Sequence, residues 1–186
     1  MVSTLYRISP LRDQVVFWDV SPKKYLADYL REASRYLLEN YDDTEEQAAK
    51  LLQKASEVKK MSLQQIAKET EALGDFYAEE YEGKFGRLAE YGFQIGRSIR
   101  LYKAARLMLG KLHLNVDTSL ELATEELNHP DFIRINIKLA DAYLAKCDFN
   151  LARHHGQEAI NTFERLENTM DCEEYTDDIS RMRKLR

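Results

Sequence analysis

Apolar positions recur along most of this chain at intervals of three and four, the period of an amphipathic helix and not the alternation of a half-buried strand. Tyr25/Leu26, Tyr29/Leu30, Ala33 and Tyr36/Leu37 form the first stripe. Ser21-Pro22 opens it, a serine N-cap followed by proline at the first helical position. A turn at Asn40-Tyr41-Asp42-Asp43 precedes a second helix through Ala48, Leu51/Leu52 and Ala55. Ser62 with Gln65 reads as a capping box for a third helix through Leu63, Ile66/Ala67, Thr70, Leu73/Gly74, Tyr77 and Tyr81. Gly83 is a stop or turn, and a fourth helix is predicted from about Phe85 to Leu112. Thr118 with Glu121 starts a short helix ending near Asn128. Pro130 starts the next, through Phe132, Ile135, Leu139/Ala140, Tyr143/Leu144 and Cys147. Residues 150–167 form a seventh helix, and a last one carries Cys172, Tyr175, Ile179 and Met182. Connections this short make successive helices antiparallel neighbours.

Residues 1–20 break the pattern. Val15-Val16-Phe17-Trp18-Asp19-Val20 is the β-prone run of the sequence and carries its one tryptophan. Two readings stay open for this extended arm. Phe17 and Trp18 pack on the helices, or the arm docks on another subunit by strand addition or with Trp18 as an anchor. The organisation expected is therefore an arm over residues 1–20 and one all-helical domain over residues 21–186.

Leu139, Ala140, Tyr143, Phe149, Ala152 and Ala159 have the spacing of a helix hairpin with small residues at the crossing. A poorer copy is Leu73-Gly74, Tyr77, Phe85, Ala89, Phe93 and Gly96. The pattern resembles the tetratricopeptide repeat, with Gly156 in place of an aromatic and the closing proline missing. The resemblance implies a short stack of helix hairpins whose first helices line a concave groove for a partner peptide or helix. It assigns to that groove Lys68, Glu71 and Asp75 from the first match, and Arg134, Ile137 and Asp141 from the second. Family members that clamp chaperone carboxylate tails carry Lys and Asn on this face. An acidic-leaning face repels such a tail and suits a basic or mixed peptide.

Composition supports the helical class. Among 186 residues there are only 7 Gly and 3 Pro, and after Val20 only Val58 and Val116. So little punctuation and so few β-branched runs exclude sandwiches, barrels and wound α/β sheets. No apolar run approaches the roughly 18 residues of a membrane span. Cys147 and Cys172 match no metal or redox spacing and are expected as reduced core residues on apolar stripes. With no signal-peptide core at the start, the expected compartment is the cytoplasm, with the nucleus left open.

Charge sharpens the picture at one place. Residues 84–113 hold seven cations against the single acid Glu90, so +6 sits here and −11 elsewhere in a chain of net charge −5. Arg97, Arg100, Lys103 and Arg106 recur every three residues as one broad stripe. Three roles are open to it: answering acids such as Glu79, Glu80, Glu82, Glu125 and Glu126; binding an acidic protein partner; or holding nucleic acid, with Tyr91 and Tyr102 to stack. Gly74, Gly86, Gly92, Gly96 and Gly156 fall inside predicted helices and are expected at helix crossings. Arg181, Arg183, Lys184 and Arg186 complement a helix C-terminus.

Catalytic and metal chemistry is hard to find. His154-His155 are consecutive and so diverge by about 100° on a helix, a poor pair of ligands. His155 is expected as a hydrogen-bonded core residue, and Glu126-x-x-His129 lacks the further carboxylates of a di-metal bundle. HExxH, Gly-rich phosphate loops and G-x-S-x-G are all missing. The expectation is a non-catalytic scaffold for protein partners, without cofactor, metal, membrane or small-molecule substrate. The alternative is a nucleic-acid-associated protein using the basic stripe.

Overall fold

A computed structural model describes residues 21–82, 88–114 and 128–185. The expected arm with Trp18, and the capping box at Thr118, lie outside those residues. Among the described residues seven α-helices run in chain order: α1 (Pro22–Asn40), α2 (Glu45–Glu57), α3 (Leu63–Glu82), α4 (Leu88–Leu114), α5 (Pro130–Ala145), α6 (Phe149–Leu166) and α7 (Thr176–Arg183). Short 3₁₀ turns at Val58–Lys60 and Glu173–Tyr175 precede α3 and α7. There is no strand among the described residues, and the helices pack as adjacent hairpins, so the fold is all-α. No helix among these residues is long and apolar enough to cross a membrane.

The chain divides into two compact units, residues 1–69 and 70–186, with the boundary inside α3. In the first unit, the Ser21 hydroxyl accepts the Lys24 N–H at 3.2 Å and starts α1 as an N-cap does. The stripe of α1 buries Leu26, Leu30, Ala33 and Leu37. Ser34, also buried, donates to the Ala48 carbonyl at 2.9 Å and ties α1 to α2 where small residues let the backbones approach. Ser62 and Gln65 form the expected reciprocal box, with bonds of 2.8 and 3.3 Å. Leu52, placed on the stripe of α2 by its spacing, is 48% exposed; Ala48 and Ala55 alone bury that helix.

The second unit is built on α4, which is apolar around most of its circumference and is wrapped accordingly. Ile95, Ile99, Leu101, Tyr102, Ala104, Ala105, Met108 and Leu109 are all buried. Gly74 of α3 lies against the Tyr102 ring, and the Ser98 hydroxyl donates to the Gly74 carbonyl at 2.9 Å. Next comes the α5–α6 hairpin, burying Leu139, Ala140, Tyr143, Ala152 and Ala159. The short helix α7 closes the stack. Its Ile179 and Met182 join Ile133, Ile137, Ile160 and Phe163 in one apolar cluster.

Two expectations about small and apolar residues, those for Cys147 and Gly96, need correction. Cys147 is not on the α5 stripe: the helix ends at Ala145, and Cys147 is an exposed turn residue with φ of 61°. Phe149, the turn aromatic of the repeat pattern, is 62% exposed. Gly96 is no crossing residue, since a Cβ there would meet nothing within 4 Å. Gly156, in contrast, sits under Met182, whose sulfur would lie 3.3 Å from an added Cβ. Cys172 is buried, as expected, and both thiols are free.

Candidate functional site: charged clusters on α3 to α7

Two of the groove residues anticipated from sequence, Glu71 and Arg134, meet directly, and a third, Asp75, is joined to Glu71 through Lys138. Arg134 of α5 donates to both carboxylate oxygens of Glu71 on α3, at 2.8 and 3.1 Å. Lys138, one turn later, bridges Glu71 at 2.8 Å and Asp75 at 2.7 Å. Asp75 also accepts the Tyr102 hydroxyl at 2.8 Å. Burial alone would raise the Glu71 carboxyl, but hydrogen bonds and charge from Arg134 and Lys138 overcome it and hold the group below the usual range. Asp141, further along α5, is taken by Arg181 of α7, which also holds Asp178 at 2.8 Å. Lys68 is exposed on the part of α3 that belongs to the first unit.

The expected acidic-leaning groove is thereby corrected. Glu71 and Ile137, two of its predicted lining positions, are buried at 7% and 6% exposure. Glu71 is covered by its cations, and Ile137 belongs to the core shared with α6 and α7. The solvent-facing remainder is a ribbon of alternating sign in which Lys138 and Arg181, unremarked in the groove pattern, neutralise the acids.

The basic stripe is dismantled by the packing of α4. Arg97 is buried with its guanidinium 5.3 Å from the centre of the Tyr77 ring. Lys103 lies 5.7 Å over the Tyr143 ring. Arg106 donates to Glu158 of α6 at 3.0 Å. Arg100 alone of the four is exposed. A period of three on a helix wrapped by neighbours sends successive side chains toward different ones. Of the acids expected to answer the stripe, Glu79 is exposed, and Glu158 was not among them.

Around Arg106 the sequence left most of the chemistry unread. Nδ1 of His155 is 3.1 Å from Oδ1 of the Asn136 side chain and 3.4 Å from Oε2 of Glu158, two acceptors, so Nδ1 carries the hydrogen. Burial holds His155 below the usual imidazole value despite the adjacent carboxylate. For Glu158, burial pushes up, and the His155 hydrogen bond with the Arg106 charge brings the carboxyl down. His155 is the hydrogen-bonded core histidine its position predicted. The His154 ring meets it edge-on at 5.1 Å.

A second imidazole cluster joins the end of α4 to the start of α5. His113 and His129 stack with centroids 3.6 Å apart, and both face Asp131. His129 is the α5 N-cap, its Nδ1 accepting the Asp131 N–H at 3.2 Å. Burial first, then the charge of His113, lowers the proton affinity of His129. Burial would raise the Asp131 carboxyl, but His113 and Arg134 hold it down. The sequence signal for this cluster was His129-Pro130-Asp131, which puts an imidazole and a carboxylate on either side of a helix start.

No protein-family model, curated protein or solved structure matches the chain.

Proposed function

We propose that the chain is a non-catalytic, tetratricopeptide-like scaffold that binds a protein partner as an adaptor, assembly factor or subunit of a larger complex. The observation that carries this reading is the α3–α5–α7 ribbon of Asp75, Arg134, Lys138, Asp141 and Arg181. These are charges of both signs, partly open to solvent and held by mutual ion pairs on rigid helices. Such a ribbon suits a partner segment that also carries both signs, because each pair can exchange an internal contact for an intermolecular one. The buried small residues of the α5–α6 hairpin support the repeat-like reading.

Nucleic-acid binding through the basic helix is the weaker alternative. Backbone phosphates need cations free to release counterions, and Arg97 is buried while Arg106 is committed to Glu158. Two free thiols fit a reducing compartment, so cytoplasmic residence is part of the proposal.

Affinity purification of the full chain with nuclease treatment tests it, comparing wild type with Asp141→Arg, a change at a half-exposed position. A protein captured by wild type and lost with Asp141→Arg, at little change in melting temperature, is the expected result. Captured material that disappears on nuclease treatment overturns the reading in favour of nucleic acid.

A further inference from the structure

In the second unit, Glu71, Asp75, Asp131, Asp141, Glu158 and Glu164 are each paired with an arginine or a lysine. The stretch that joins α6 to α7 is different. Residues 166–180 hold six acids and no Lys, Arg or His, and of those acids Asp178 alone is ion-paired among the described residues. Three of the others, Glu167, Asp171 and Glu173, stand around a cleft of about 280 Å³ that Phe163, Met170 and Cys172 also line. Phe163 and Cys172 are buried and form its floor, while Met170 is 46% exposed on its wall.

Helix ends account for only part of this charge. Glu173 begins a 3₁₀ turn, where an acid suits the amide end, and Oδ1 of Asp171 accepts the Glu173 N–H at 3.2 Å. Glu167 has no such reason to be there. It caps the carbonyl end of α6, where negative charge is unfavourable, and among the described residues no cation pairs with it.

An apolar floor beneath unpaired carboxylates selects what can occupy it. Anions are repelled, and a neutral apolar group would strip water from the acids without replacing it. A long cationic side chain satisfies both parts. Its methylene stem covers Phe163 and Met170, and its charged head sits among the carboxylates. A calcium cage is not formed, since no three of these ligand oxygens lie within 4.8 Å of one another.

We propose that this cleft takes an arginine or lysine side chain from a basic, apolar segment of a protein partner. The inference rests on the reading of the chain as a protein-binding scaffold, but the cleft shares no residue with the α3–α5–α7 ribbon.

The test uses the full chain and a fluorescein-labelled peptide of alternating arginine and leucine, followed by fluorescence anisotropy. Wild type is expected to bind it saturably at low salt, and more weakly as salt rises. Glu167→Gln combined with Asp171→Asn is expected to weaken binding by at least about tenfold, and the asparagine keeps an acceptor for the Glu173 N–H. Asp42→Asn with Asp43→Asn removes the same charge from an exposed turn of the first unit. That control is expected to change binding by less than about twofold. Met170→Ala alters no charge and is expected to weaken binding by about threefold or more. Thermal melts report whether each variant folds. If the Glu167→Gln, Asp171→Asn variant does not, Met170→Ala, at an exposed position, decides the matter. The proposal is overturned if wild type does not bind, if the control loses as much as the cleft variant, or if Met170→Ala binds as wild type does. Capture of a partner that depends on Asp141, without peptide binding, strikes the cleft alone. Peptide binding without such capture strikes the ribbon and leaves the cleft standing.

Discussion

A methyl group added to Gly74 would sit 2.6 Å from Cε1 of Tyr102 and 2.8 Å from Cδ1. That ring cannot swing away cheaply, because it is buried and its hydroxyl is bonded to Asp75. Alanine gains about 1 kcal/mol of helix propensity over glycine, while overpacking of this kind costs about 1–3 kcal/mol. Gly74→Ala is therefore expected to lower the melting temperature. Gly96, inside α4 with open space where its Cβ would be, is expected to show the reverse. Gly96→Ala should stabilise by up to about 1 kcal/mol, and thermal melts of the two single variants check both signs. In the sequence the two glycines look alike, mid-helix and costly. Only the position of Tyr102 separates them.

Also at the residue scale, His155 and Glu158 make stability fall with acid. Both groups have folded-state values below their unfolded ones, so the unfolded chain binds more protons as pH drops. Their stabilisation is complete above the unfolded values. It declines first below about pH 6.5, where an unfolded histidine takes a proton, and again below about 4.5 as Glu158 follows. Melting temperature measured against pH should fall on that course. His155→Gln should flatten the upper part of the fall. A curve that rises on acidification through pH 6 would contradict the buried, neutral state of His155.

At the scale of elements, α7 shows which interactions hold the stack. It is eight residues long, too short to be stable alone, and its charged contacts are plentiful but exposed. Arg181 meets Asp141 and Asp178, and Arg183 meets Glu164 at 3.0 Å, all with side chains roughly half open to solvent. Exposed pairs of this kind are worth about 0–1 kcal/mol. Ile179 is 1% exposed within the apolar cluster, where truncation to alanine costs about 2–5 kcal/mol. Ile179→Ala should therefore destabilise several times more than Arg181→Ala in denaturant titrations. The basic residues near the end of α7 were legible as complements to its dipole. That Arg181 reaches back to α5, and Arg183 to α6, was not, because a single sequence gives no side-chain distances across helices.

The helix α4 marks the other boundary of legibility. Its ends lie within a few residues of the predicted span, and its excess of cations is plain in the sequence. Its faces were not assignable, since apolar and small residues surround it and no polar side stands out. The capping signals at Ser21, Ser62 and Pro130 were legible because a cap acts within a single turn.

For the whole molecule, the net charge of −5 describes neither residues 84–113 nor the rest of the chain. The positive charge on α4 is largely committed inward, to Tyr77, Tyr143 and Glu158. A mobility-shift assay with RNA and DNA at physiological salt is accordingly expected to show no complex, and one with a steep salt dependence would restore the basic helix as a binding surface.

By itself the sequence determined the helical class, the hairpin order and most helix starts. These depend on periodicity, capping and chain stiffness, which act over a few residues. The tertiary structure alone decided which charges stay open and which glycine is a crossing point. It also decided that His113 meets His129 and Asp131. Each of those is a matter of distance between helices remote in the chain, and electrostatics and packing depend on distance.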